Sequence, residues 1–333
     1  MDEKTTKAVG IDIGGTSIKM GLVTERGEVL ATSKVSTGAL DSDGAFAKVC
    51  EGVHALAEQG GIDAGKLNAI GLDVPGVVLE DGTLTMAPNI TLDLAGLTMT
   101  LREAYPQASL AVLNDANAAA LGEAWLGSGN ARGGTVMVTL GTGVGAGVVI
   151  GGNVIAGAHG AAGEIGHLNV EPEETETCNC GCRGCLEQYA SARGLIRLYR
   201  EECEADGAEP VAIAHATDAL AVFEAARGGN TQAVRACERL GRYLARALAA
   251  VAVTVDPDAF VVGGGMSGGW DTFGRACLAH YREVAVSACK DTPIRPASLG
   301  NDAGFLGAAG AALAVGGPAQ TTGALGLDEP HGF

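Results

Sequence analysis

Two glycine-tipped segments and one cluster of cysteines hold the residue types this sequence has for chemistry. Residues 8 to 23, AVGIDIGGTSIKMGLV, carry Gly14-Gly15-Thr16 between two β-branched runs, with Asp12 before the turn and Lys19 after it. Residues 135 to 150, TVMVTLGTGVGAGVVI, repeat that plan around Gly141-Thr142-Gly143. A glycine turn lets backbone N–H groups approach a phosphate with no Cβ in the way, and Thr16 or Thr142 adds a hydroxyl donor. Either turn alone also reads as an ordinary hairpin needing positive φ, whereas a pair can face one polyphosphate from two sides. Cys178, Cys180, Cys182 and Cys185 sit close together, while the other five of the nine cysteines are dispersed. An odd count without an export signal argues against a disulfide framework, so the cluster reads as a metal site.

These groups need elements to hold them. Each glycine turn reads as the tip of a strand-turn-strand unit, which suggests two related lobes. Between the turns, Phe46 to Gln59 has helical apolar spacing, Leu67 to Val74 reads as a strand, and Leu110 to Leu113 as another that runs into Asn114-Asp115. Ala116 to Leu126, Tyr189 to Glu204 and Thr231 to Val253 read as helices, Ala259 to Val262 as a buried strand, and Ala303 to Gly317 as a buried helix. Strands alternating with helices predict an α/β chain. Gly263-Gly264-Gly265 follows a strand, where such sheets place ligands; it would admit a flat adenine, a plain loop being the alternative. No GxxxxGK[ST] occurs, and the GxGxx[GA] match at Gly141, Gly143 and Ala146 leads into a strand rather than a helix.

Composition narrows the class. The 333 residues include 52 Gly and 10 Pro, below the fraction that marks low complexity, and 47% are hydrophobic, which excludes wholesale disorder. That length is enough for roughly two domains. The formal charge of −17 disfavours nucleic acid and anionic membrane as partners. The start lacks a basic region and apolar stretch, and the late Ala/Gly-rich segment is too short to span hydrocarbon, so a cytoplasmic location is expected.

The stretches IDIGGTSIKMGLV, LNDANAAALGEAWLGSG, TLGTGVGAGVVIGG, AAGEIGHLNV and CNCGCRGCLEQYAS together resemble the ROK family of sugar kinases and sugar-responsive repressors, most closely its bacterial glucokinases, over about residues 8 to 315. The resemblance implies the actin-like (ribonuclease H-like) ATPase fold. The expected N-terminal lobe is 1–115, completed by about 302–317, and the C-terminal lobe is 116–301 with a zinc-binding loop at 167–185; 318–333 reads as a loose tail. It also implies ATP-dependent phosphorylation of a hexose, glucose first. Asp115 would be the general base, and Asn89, Asn114, Asp115, Glu164, His167 and Glu187 would bind sugar hydroxyls. For Asp115 the competing reading is a helix N-cap. Asp12 would position Mg²⁺, and Gly14, Gly15, Thr16, Lys19, Gly141, Thr142 and Gly143 would serve the phosphates of ATP. Gly264 and Gly265 would border adenine. His167, Cys178, Cys180 and Cys185 are the implied ligands of a structural Zn²⁺, with Cys182 an extra thiol, either free or competing for the metal. In Asp73-Val-Pro75-Gly76 structure and function do not separate. Relatives are commonly dimers or tetramers.

Within this resemblance, a kinase for N-acetylated hexosamines, GlcNAc or ManNAc, differs only in pocket shape, and a polyphosphate-dependent glucokinase would share every motif. A sugar-responsive transcription repressor shares the sugar lobe, but the seven residues before the first strand leave no room for a helix-turn-helix.

Overall fold

The computed structural model describes residues 6–79, 81–86, 90–130, 132–215 and 218–316; the expected loose tail at 318–333 and Asn89 lie outside these. In chain order the described elements are strands β1 (Lys7–Ile13), β2 (Ser17–Thr24) and β3 (Val29–Ser36), helix α1 (Asp43–Gln59), strands β4 (Ala69–Val74), β5 (Val77–Val78) and β6 (Leu84–Met86), helix α2 (Leu94–Ala104), strand β7 (Ser109–Asn114) and helix α3 (Asp115–Leu126). There follow β8 (Gly134–Leu140), β9 (Val144–Ile150) and β10 (Asn153–Val154), then α4 (Glu187–Ala190), α5 (Ala192–Asp206), α6 (Leu220–Arg227) and α7 (Thr231–Val255). The chain continues through β11 (Ala259–Gly263), α8 (Trp270–Val284), β12 (Ile294–Pro296) and α9 (Ala303–Gly316). They fall into two units, one of Met1–Pro75, Ala87–Leu113 and Ala308–Phe333, the other of Gly76–Met86 and Asn114–Gly307.

The first unit holds the sheet β3-β2-β1-β4-β7. β1 and β2 run antiparallel and pair Asp12 with Lys19, while β1 and β4 run parallel and pair Asp12 with Asp73. Because side chains alternate along a strand, Ile18, Met20 and Leu22 of β2 share one face, and Gly52 and Gly60 at α1 lie against Met20 and Leu22. The other face carries a row of glycines, Gly21, Gly10 and Gly71, in register across three strands. The row makes room for a helix: a Cβ at Gly71 would come within 1.8 Å of the Ala308 carbonyl oxygen of α9. α9 is itself rich in Gly and Ala, so helix and sheet approach backbone to backbone.

The second unit repeats the strand order, β10-β9-β8-β11-β12, with β8 and β9 antiparallel and β8, β11 and β12 parallel. One sheet face supports a core built with α5, α7 and α8, including Leu195, Leu198, Tyr199, Leu244, Leu248 and Phe273, all fully buried. On the other face, Gly145 and Gly147 of β9 meet Ala116 and Ala120, which seats α3 flat on the strand. Glu123 of α3 is fully buried and accepts backbone hydrogen bonds from Ser128, Ser298 and Leu299, tying the end of α3 to the segment after β12. The expected single helix from Tyr189 to Glu204 is two, because Ser191 adopts an extended backbone and caps α5 through a hydrogen bond from the Gly194 N–H.

Candidate functional site

Four expected site residues converge on the first residues of β9. Asp115 opens α3, the helix that lies on Gly145 and Gly147. Glu164 precedes and His167 ends the one-turn 3₁₀ helix Ile165–His167, so they project from one side of it. That turn is pressed onto β9: a Cβ at Gly166 would meet the Val144 carbonyl oxygen at 2.2 Å, and Gly163, at φ 92°, abuts the Ala146 carbonyl. Glu187 begins α4, and its Oε2 accepts a hydrogen bond from the Val144 N–H at 3.0 Å.

Asn114 and Asp115 divide the work at the start of α3. The N-cap is Asn114, whose Oδ1 accepts from the N–H groups of Ala116 and Asn117, and Asp115 Oδ1 shares the Ala116 N–H at 2.8 Å. The Asn114 Nδ2 donates to the Gly76 carbonyl at 2.8 Å and to Asp115 Oδ1 at 2.9 Å. Asp115 is exposed and held from its neighbour's side chain.

The second glycine turn stands at the same end of β9. The turn joins the antiparallel strands β8 and β9, and neither Gly141 nor Gly143 has positive φ in it. Gly143 is required by space, since a Cβ there would lie 2.4 Å from Glu187 Oε2. The turn closes through Gly141 N–H to Gly143 carbonyl, and the Ala192 N–H donates to the Gly141 carbonyl, leaving Thr142 exposed at the tip. Gly264, at φ 81°, packs against the Leu140 backbone next to this turn, and Gly265 has open space where a side chain would be. Gly141, Thr142, Gly143, Gly264 and Gly265 are thus brought together.

In the first unit Asp12, Gly14, Gly15, Thr16 and Lys19 form a separate group at the β1–β2 turn. The turn closes through Gly14 N–H to the Ser17 carbonyl at 3.0 Å, and Thr37 braces it by donating its hydroxyl to the Gly14 carbonyl and its N–H to the Thr16 carbonyl. Burial raises the Asp12 carboxyl, countered by a hydrogen bond with Asp73 and the charge of Lys19. Sequence reasoning gave no role to Thr37, and Asp73 becomes readable as the partner of Asp12 only through the β1–β4 register.

His167, Cys178, Cys180 and Cys185 bring their donor atoms within 4.8 Å of one another, the group among the described residues with the make-up to hold a metal ion. One nitrogen and three sulfurs at that spacing fit a closed tetrahedral site for a borderline-soft ion. The His167 Nδ1 lies 4.0 Å from the Cys178 sulfur and its Nε2 lies 3.9 Å from Glu164 Oε2, so one ring edge faces the thiols and the other the carboxylate. Cys182 is exposed and outside the set of four.

The loop carrying these cysteines is also held by polar contacts. Arg197 of α5 pairs with Glu174 at 2.8 Å, and the Tyr189 hydroxyl donates to the same carboxylate. Burial pushes the Glu174 carboxyl up, but hydrogen bonds from Tyr189, the Glu176 N–H and Arg197, with the Arg197 charge, outweigh it and hold the group down at about 2. Tyr189 stacks on Tyr243, whose hydroxyl donates to Glu171, and Arg246 donates to the Val170 carbonyl. No sequence pattern signals this clamp, because its members are far apart along the chain.

A model of the ROK family matches residues 8–315. The chain is 37% identical over 313 residues to the glucokinase of Halalkalibacterium halodurans, covering 90% of this chain and 92% of that one. Among solved structures, the ROK hexokinase from Thermus thermophilus matches with a TM-score of 0.75 at 32% identity, over 92% of this chain and 97% of that chain. A ROK family glucokinase from Streptomyces griseus in complex with glucose and AMPPNP matches with a TM-score of 0.69 at 34% identity, over 91% of this chain and 98% of that chain.

Proposed function

The chain belongs to the ROK family, with its actin-like ATPase fold, and from that premise we propose that it is an ATP-dependent glucokinase that moves the γ-phosphoryl group of ATP onto the 6-hydroxyl of glucose. The observation that carries the reading is the gathering of Asp115, Glu164, His167 and Glu187 around the first residues of β9, beside the Gly141–Gly143 turn.

Phosphoryl transfer is largely a matter of positioning and charge stabilisation. Asp115 accepts the proton of the 6-hydroxyl as its oxygen attacks the γ-phosphorus; the bridging P–O bond breaks, and its electron pair leaves with ADP. Being exposed, Asp115 passes the proton on to solvent. Asn114, Glu164, His167 and Glu187, with Asn89, hydrogen-bond the remaining hydroxyls. An analogue lacking one leaves polar groups unpaired and is rejected on that account.

The backbone N–H groups of Gly15 and Thr16 in the first turn and of Thr142 and Gly143 in the second serve the phosphates, those of Gly14 and Gly141 closing the turns. Lys19 and Thr16 support the first turn, and Gly264 and Gly265 border the adenine. Asp12 offers a hard carboxylate oxygen, which suits hydrated Mg²⁺. That ion, when bound, neutralises charge on the phosphates. His167, Cys178, Cys180 and Cys185 are the ligands for a structural Zn²⁺, with the Nε2 edge of His167 left toward Glu164 and the sugar. Assembly as a dimer or tetramer belongs to the same reading and is read by light scattering. No helix among the described residues is long and apolar enough to cross a membrane.

Initial rates with glucose, mannose, N-acetylglucosamine and N-acetylmannosamine, with ATP and with polyphosphate as donor, test the proposal. A kcat/KM for glucose and ATP about tenfold or more above every other combination is expected. A preference for an acetylated sugar or for polyphosphate would overturn it.

A further inference from the structure

Glu187 belongs to two groups at once. It stands among the sugar-binding residues, yet its Oε2 already accepts the Val144 N–H at 3.0 Å, the amide that follows the Gly141–Gly143 turn. The contact is built in from both sides: Gly143 has no side chain, and a methyl group there would sit 2.4 Å from the same oxygen. The opposite shoulder of the turn is fixed by the Ala192 N–H on the Gly141 carbonyl at 2.8 Å. Residues 187 to 192, the four residues of α4 and the start of α5, therefore grip both shoulders of the turn and leave Thr142 outermost.

We infer that Glu187 is a positioning residue for the nucleotide as well as a sugar contact: one carboxylate oxygen fixes the phosphate-binding turn through Val144 while the other reaches the sugar. Sugar engaging the second oxygen restrains the carboxylate and with it the turn, so that each substrate tightens binding of the other. Such coupling is reciprocal by thermodynamic necessity. The inference rests on reading the Gly141–Gly143 turn as a phosphate site.

The test is ATP binding without sugar, measured by calorimetry on the full chain, for Glu187→Ala, Glu187→Gln and Thr142→Asp. Glu187→Ala loses the acceptor for the Val144 N–H and is expected to weaken ATP binding about five- to tenfold, roughly the effect of one hydrogen bond. Glu187→Gln keeps an acceptor oxygen and is expected to restore ATP binding to within about twofold while still weakening glucose binding. A role confined to the sugar would leave ATP binding untouched in all Glu187 variants, and that result overturns the inference. Thr142→Asp separates the two readings: it places a carboxylate at the exposed tip, and if ATP binding survives it unchanged, the phosphate site itself is misassigned.

A double-mutant cycle guards against misfolding. Gly143→Ala is expected to weaken ATP binding in the native background, where the methyl group displaces Glu187, and to cost at most twofold in the Glu187→Ala background, where the methyl has room. Additive losses would contradict the tie between Glu187 and the turn.

Discussion

Asn114 holds Asp115 in place while capping the helix that Asp115 begins. Its Oδ1 accepts the N–H groups of Ala116 at 2.9 Å and Asn117 at 3.2 Å, and its Nδ2 donates to Asp115 Oδ1 at 2.9 Å. One amide thus satisfies two of the helix's N-terminal donors and orients the carboxylate assigned as base. Asn114→Ala is expected to lower stability by about 1 kcal/mol, the usual effect of losing a cap. It should also lower kcat, because Asp115 Oδ1 loses the Asn114 amide and keeps the Ala116 N–H, a looser hold. Urea denaturation and initial rates check this, with Asn114→Asp, which keeps the cap acceptor but loses the donor, expected to recover stability and not kcat.

Removing the proposed zinc should loosen the sugar site before it melts the fold. The cysteine loop is also tied by Arg197–Glu174, Tyr189–Glu174 and Tyr243–Glu171, none of which uses the four candidate ligands, whereas the orientation of His167 toward Glu164 depends on its other nitrogen being engaged. After chelation, glucose affinity is expected to fall about tenfold, or about 1.4 kcal/mol, with the far-ultraviolet circular dichroism unchanged. Unchanged glucose affinity in protein shown by elemental analysis to be metal-free would contradict the role given to the loop.

Glu174 sets a pH dependence of stability. Its carboxyl is held at about 2 in the folded chain against an ordinary value of 4.5, so the folded state favours the ionised form. A depressed folded value means the contribution is complete above the unfolded value and lost as pH falls from about 4.5 toward 2. Glu174→Gln should destabilise by about 1 to 3 kcal/mol near neutrality. The difference between wild type and variant, followed by urea midpoints, should shrink across that acid window.

Gly71→Ala tests the glycine row. The added methyl would meet the backbone of α9 at Ala308, which has no flexible side chain to yield. A loss of about 1 to 3 kcal/mol or more is expected, measured by thermal unfolding. Gly38→Ala, at an exposed site with open space around it, isolates ordinary backbone strain, since its φ of 61° alone penalises a side chain.

The two hairpins were legible in the sequence because period-two β-branched runs flank glycines, and α1 because Phe46, Val49, Val53 and Leu56 recur at helical spacing. β3 carries no such signal: it is an edge strand, mostly exposed, and reads as polar. α8 is not legible because its buried stripe is thin, Phe273, Gly274, Cys277 and Tyr281 among charged residues. The break between α4 and α5 hangs on one serine in an otherwise helix-favouring run. At the site, the resemblance already named His167, Cys178, Cys180 and Cys185 and set Cys182 apart, whereas the attachment of Glu187 to Val144 depends on a contact across distant segments. Glu174, Arg197 and Tyr189, spread over 23 positions, form a clamp that only folding brings together.

In the proposed reaction Asp115 takes the proton from the sugar hydroxyl, and Asp115→Asn removes that base while keeping its shape. With glucose and ATP saturating, kcat should fall about 10²- to 10⁴-fold, while the glucose dissociation constant from calorimetry stays within about threefold of wild type. A kcat within a few-fold of wild type in a variant that binds glucose normally would contradict the assignment of the base and, with it, the chemistry proposed for this site.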